Sequence, residues 1–160
     1  MVHWLKYRRP GLFFNKSDLK YEDFDYYPQP LPDAYIRLKT SQGEKQFFLD
    51  IFEDTQPYFV LVRRVKKYFS YAGSGEWAAT ETELPTILMV APTTSVQKRL
   101  RKRIARHLRE SCEDELAFAT STIPELLAYS EAGGKAWRLV DEDGDDPEEP
   151  VKPKGLSAIL

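Results

Sequence analysis

Pro32-Asp33-Ala34-Tyr35-Ile36-Arg37-Leu38, then Thr40-Ser41-Gln42-Gly43-Glu44, then Phe47-Phe48-Leu49-Asp50-Ile51-Phe52-Glu53 is the stretch that decides how the chain is read. Two runs rich in aromatic and aliphatic residues flank a short polar, glycine-bearing turn, which is the pattern of a β-hairpin. A turn centred on Gln42-Gly43 sets Ser41 against Glu44, Tyr35 against Asp50 and Asp33 against Phe52. Strand side chains alternate in period 2, so Asp33 and Asp50 fall on one face as diagonal neighbours, about 7–8 Å apart between Cα atoms. Two carboxylates so placed can share a divalent cation. The plainer reading makes Asp33 a turn residue and Asp50 a solvated charge at a strand end.

This outline resembles the Pro-Asp…(Asp/Glu)-x-Lys nuclease superfamily, which carries two acids and a lysine on such a hairpin. The resemblance implies that Asp33 and Asp50 hold Mg²⁺ and that a lysine activates water or stabilises charge at the phosphate. Pro32-Asp33 and Asp50-Ile51 fit the first two parts. The lysine position holds Phe52, which can do neither job. A substitute cation has to come from the helix that follows, from Lys66, Lys67 or Arg63.

Composition bounds the class. The chain has 160 residues, 42% hydrophobic and 30% charged, as expected of a soluble globular protein with one core. It has no apolar run long enough to span a bilayer and no long apolar segment after Met1, so a cytoplasmic setting is expected. The single cysteine, Cys112, excludes an internal disulfide and a cysteine-cluster zinc site. His3 and His107 have no ligand-like neighbours. The net charge of −2 hides an asymmetry. Residues 1–110 carry 19 Lys/Arg against 13 Asp/Glu, a surplus of +6, and residues 111–160 carry 4 against 12, a deficit of −8. A basic body favours an anionic partner, while an acidic tail suits a solubiliser or a contact for a basic protein.

Working outward from the hairpin, residues 1–31 read as a lead-in of strand and loop. Residues 3–9 and 11–14 are short and aromatic, broken by Pro10-Gly11, as in an edge strand. Asn15-Lys16-Ser17-Asp18-Leu19 offers capping residues without a long periodic run. Tyr21 to Pro32 is an extended aromatic loop whose tyrosines plug the edge of the core. After the hairpin, Thr55-Gln56-Pro57 opens a helix. Phe59, Leu61, Val62, Val65 and Phe69, with Tyr58 as a candidate sixth, give its apolar stripe, and Arg63, Arg64, Lys66 and Lys67 its basic edge. Gly73-Ser74-Gly75 ends it. Pro85 to Pro92 is a continuous apolar run, a buried central strand parallel to its neighbour. Ser95 caps a second helix in which Val96, Leu100, Ile104 and Leu108 recur every four residues. The other positions hold Lys98, Arg99, Arg101, Lys102, Arg103, Arg106 and Arg109, with no acid before Glu110. A solvated face explains some of them; phosphate contact explains so many of one sign. Leu116–Thr120 is a short strand, Ser121–Tyr129 opens a short helix, and residues 133–139 close the domain. Together these make an α/β domain over 32–140, a mixed central sheet with flanking helices and right-handed crossovers. Residues 141–160 form an acidic tail expected to be disordered.

Pro32–Leu38, Phe47–Asp50 with Thr55, Lys67-Tyr68-Phe69-Ser70-Tyr71, Gly75-Glu76-Trp77, Leu84–Val90 and Gly134-Lys135-Ala136-Trp137-Arg138 occur in an order and spacing that resemble the replication-relaxation family of plasmid and mobile-element proteins. The likeness covers roughly residues 30–139. It implies a restriction-endonuclease-like core and a role in plasmid replication, DNA relaxation or mobilisation. Two departures matter. A winged-helix DNA-binding domain usually precedes this region, and the residues ahead of it here leave no room for one, so any DNA binding is expected to rest on this domain's own basic helices, or the chain is a fragment. The usual acid-x-acid of the second strand reads Asp50-Ile51-Phe52. The leading expectation is therefore a DNA-binding accessory whose phosphate contacts come from Arg63, Arg64, Lys66, Lys67 and the 98–109 helix. The alternatives are an active Mg²⁺-dependent endonuclease, and a non-catalytic scaffold that meets a protein partner through the tail.

Overall fold

In the computed structural model, residues 11–21, 26–111, 115–132 and 136–141 are described. Among these residues six strands form one mixed sheet whose spatial order follows the chain. They are β1 (Gly11–Asn15), β2 (Ala34–Thr40), β3 (Gly43–Ile51), β4 (Thr86–Ala91), β5 (Phe118–Thr122) and β6 (Arg138–Val140). Pairing is antiparallel from β1 to β3, parallel from β3 to β5, and antiparallel again at β6. The α/β class with a mixed sheet is therefore as expected from the sequence.

Among the described residues four α-helices punctuate this order: α1 (Lys16–Tyr21), α2 (Tyr58–Ser74), α3 (Thr94–Glu110) and α4 (Ile123–Ala132), with a 3₁₀ turn at Glu76–Thr80 after α2. The connections β3-α2-β4 and β4-α3-β5 step across the sheet in the same direction. Crossovers of one hand then place both helices on the same face. The side chains agree. Leu61, Val65 and Tyr68 of α2 and Leu100 and Ile104 of α3 pack with Tyr35, Phe48, Ile87, Met89 and Phe118 in one core. The opposite face buries Ile36, Leu38, Phe47, Leu49, Leu88 and Val90, with Ile123, Leu126 and Tyr129 of α4 against them. β4 sits between two parallel neighbours and Ile87 through Ala91 are fully buried, as its uninterrupted apolar run requires.

Local chemistry explains the boundaries. Asn15 Oδ1 accepts from the backbone N–H groups of Ser17 and Asp18 while Asp18 accepts from the Asn15 N–H, a reciprocal cap that makes a six-residue helix of a segment with no periodic run. Thr122 and Glu125 form the same device at α4. Gly75 ends α2 at φ 70°, a left-handed conformation that glycine adopts without penalty. The cap of α3 is Thr93, whose Oγ1 accepts from the Val96 N–H, rather than Ser95. Tyr27 is buried and meets Tyr35, Phe48 and Trp77 edge-on, so the loop tyrosines do plug the core.

The hairpin register departs from expectation. Thr40 pairs with Gly43, so the turn is centred on Ser41-Gln42 and every partner shifts by two residues: Tyr35 faces Phe48, and Ala34 faces Leu49. A two-residue shift preserves which side chains share a face. The pairing ends at Ala34 and Leu49; beyond it the Asp33 N–H donates to the Leu49 carbonyl and the Asp33 carboxylate accepts from the Ile51 N–H, so Asp33 brackets Asp50 through its two chain neighbours. Phe59, expected in the apolar stripe of α2, is 61% exposed. Strand 3–9, His3, Cys112, the Gly134-Lys135 part of the closing segment and the acidic tail beyond Asp141, with its expected protein partner, lie outside the described residues.

Candidate nucleic-acid interface

The carboxyl end of β3 carries Asp50 onto the face that α2 covers. Arg64 lies on the same stripe of α2 as Leu61, Val65 and Tyr68, so helical geometry turns it inward with them. Its Nε donates to Asp50 Oδ2 at 2.7 Å and its Nη2 to Oδ1 at 3.1 Å. The Tyr68 hydroxyl, one turn on, donates to Oδ2 at 2.6 Å and accepts from Arg64 Nη2 at 3.0 Å. Arg64 Nη1 donates to the Pro30 carbonyl. Burial pushes the Asp50 carboxyl up, Arg64 and Tyr68 pull it back down, and Asp33 adds a push upward, leaving it raised overall. Three donors aimed at two oxygens are nevertheless the environment of an ionised carboxylate. For Arg64, burial works against the charge, and Tyr68 and Asp50 more than offset it, so the guanidinium stays charged.

This geometry does not fit a Mg²⁺ site. Both oxygens of Asp50 are taken by Arg64 and Tyr68, and Asp33 Oδ2 accepts from the Ile51 N–H at 2.8 Å. Asp33 also meets Lys16 Nζ at 3.8 Å. Among the described residues no group of three acids, histidines or cysteines could hold a metal. Asp33 is close enough to Asp50 to act on its charge, but the two serve separately, Asp33 as a backbone cap and Asp50 in a buried ion pair. Lys66 and Lys67 are exposed on α2. The cation that reaches Asp50 is Arg64, which therefore leaves the set of expected phosphate contacts. Arg101 leaves it as well: it is buried, and its Nη1 donates to the Arg138 carbonyl at 3.2 Å. The spacing held the signal, since Arg64 and Arg101 each sit within the apolar repeat of their helix (61, 64, 65, 68 and 97, 100, 101, 104). Tyr68 was missed for the same reason.

What remains of the basic set lies on the outer sides of α2 and α3. Arg99 of α3 stacks over the ring of Tyr58 of α2 at 4.1 Å, and His107 lies 5.4 Å from Phe69. Residue numbers rise together across the contact, so the two helices run side by side in the same direction. The parallel strands they follow demand this. Arg63 and Lys67 on α2, and Lys98, Lys102 and Arg106 on α3, recur at four-residue spacing and are exposed. Each interval spans about 6 Å of helix axis. Lys66 and Arg109 are exposed beside them, and Arg103 is half-buried. Among the described residues none of these cations has a carboxylate partner within ion-pair distance. His107 adds no charge at neutral pH: burial lowers its pKa, and Arg103, Lys66 and Arg106 push the same way against Glu110. The two helices thus carry fixed cations, with Lys66, Arg103 and Arg106 around His107 at the seam, Arg63 and Lys67 toward the flank of α2 away from α3, and Lys98 and Lys102 toward the flank of α3 away from α2. No described helix is long and apolar enough to cross a membrane.

No family model, curated protein or solved structure matches this chain.

Proposed function

We propose that the chain is a DNA-binding accessory protein that holds phosphates on the α2–α3 face and does no chemistry on them. The observation that carries this reading is the array of exposed cations on two parallel helices, none of them neutralised by a neighbouring acid among the described residues. Such a surface contributes little to folding, because like charges at i, i+4 repel. It suits a polyanion, since each phosphate neutralised releases condensed counterions. The order antiparallel hairpin, helix, parallel strand is also the order a restriction-endonuclease-like core requires. It supports a nuclease-derived scaffold in which Asp50 has become part of the core. A place in plasmid or mobile-element replication rests on the sequence resemblance alone.

The test is fluorescence anisotropy with a labelled duplex. Reversing Lys102 and Arg106 to Glu is expected to weaken binding at least tenfold, while Lys39→Glu on the hairpin leaves it within about twofold. Equal losses from both variants would remove the α2–α3 face from the reading.

A further inference from the structure

We infer that the preferred ligand of this face is an unpaired DNA strand, one of whose bases stacks on Phe59. The inference rests on the phosphate-binding reading and narrows it. Phe59 is 61% exposed. A lone exposed aromatic is ordinary; its surroundings here are not. It begins the outer stripe of α2, followed one turn later by Arg63 and two turns later by Lys67. The Arg63 guanidinium lies 6.0 Å from its ring centroid. The neighbouring Tyr58 is half-buried, with Arg99 of α3 over its ring at 4.1 Å. Two aromatic rings, each with a guanidinium, therefore stand at the amino ends of the paired helices, where the cation stripes begin.

Aromatic rings and cations in one track are what a single strand uses: bases stack on the rings while phosphates meet the cations. A duplex keeps its bases stacked internally and offers Phe59 no base face. Glu53 and Asp54 lie in the loop just before α2 and repel phosphate. The backbone is therefore directed from Phe59 toward Arg63 and Lys67, along the cationic stripe of α2.

The experiment compares an oligothymidylate of about 20 nucleotides with a duplex of the same length, in wild type, Phe59→Ala and Phe59→Trp. Phe59 is exposed, so both variants are expected to keep the wild-type melting temperature. Phe59→Ala is expected to weaken the single strand about fivefold or more, the effect of one lost stack, and to leave the duplex within about twofold. Phe59→Trp is expected to bind at least as tightly as wild type, with its added emission quenched by the oligonucleotide. A single-strand affinity untouched by Phe59→Ala, or an unquenched Phe59→Trp, overturns the stacking role while duplex binding keeps the phosphate reading intact. Failure of wild type to bind either probe removes both.

Discussion

Replacing Asp50 by Ala is the perturbation that separates a structural carboxylate from a catalytic one. The substitution leaves Arg64 in the core with its charge, the Pro30 carbonyl and the Tyr68 hydroxyl, and without its only carboxylate partner among the described residues. Both side chains of the pair are 7% exposed. Removing one partner of a buried pair costs about 3–5 kcal/mol, because the other charge stays desolvated and uncompensated. For a chain of this size each kcal/mol lowers the melting temperature by about 2–4 °C, so the expected fall is about 6–20 °C. The control is the double replacement Asp50→Leu with Arg64→Met, which removes both charges and keeps apolar volume. It is expected to recover most of the loss. Thermal melting followed by circular dichroism reads both, and duplex anisotropy at a temperature where the variants are folded reads function. Binding is expected to survive in the double variant. An Asp50→Ala protein that melts within about 2 °C of wild type while losing a Mg²⁺-dependent nicking activity would refute the structural assignment.

Three further outcomes follow from the structure. Thr93→Ala removes the side-chain cap of α3 and is expected to cost about 1 kcal/mol, measured by urea unfolding; no change would mean that the Thr93 hydroxyl contributes nothing. Tyr35 has its pKa pushed from 10.0 to about 12, chiefly by burial, and burial also raises Tyr27, Tyr68 and Tyr71. A raised folded-state pKa gives stability that is whole below pH 10 and lost as the pH climbs toward 12, so phenolate absorbance is expected to lag and then rise with unfolding; titration of all nine tyrosines near pH 10 in the folded protein would contradict this. Arg101→Glu is expected to lower the melting temperature, whereas Lys102→Glu next to it is expected to leave it within about 2 °C, since only the former is buried.

Much of this fold was legible because the apolar periodicities are strong. The run Pro85 to Pro92 reads as a buried parallel strand, and Leu100, Ile104 and their repeats read as one face of α3. The turn was less legible: Ser41-Gln42 and Gln42-Gly43 are both acceptable centres by residue type, and only the full pairing decides between them. The site was legible in composition but not in direction. A basic residue counts as surface until its position on the helix is compared with the apolar stripe, and Arg64 and Arg101 fail that comparison. Phe59 errs in the opposite sense. It stands about 200° around the helix from Leu61, so the two cannot share a buried face. The role of Asp50 depended on Arg64 and Tyr68, 14 and 18 residues away, whose contacts no local pattern reveals.

The most direct test of phosphate binding by the α2–α3 face is the slope of log affinity against log salt for a duplex, between about 50 and 200 mM, in wild type and in Lys67→Glu/Lys102→Glu. Wild type is expected to show a slope steeper than about −4, and the double variant a slope shallower by about 2, one for each lost phosphate contact. A flat wild-type slope, or the same slope in both proteins, would contradict the assignment of these helices to DNA.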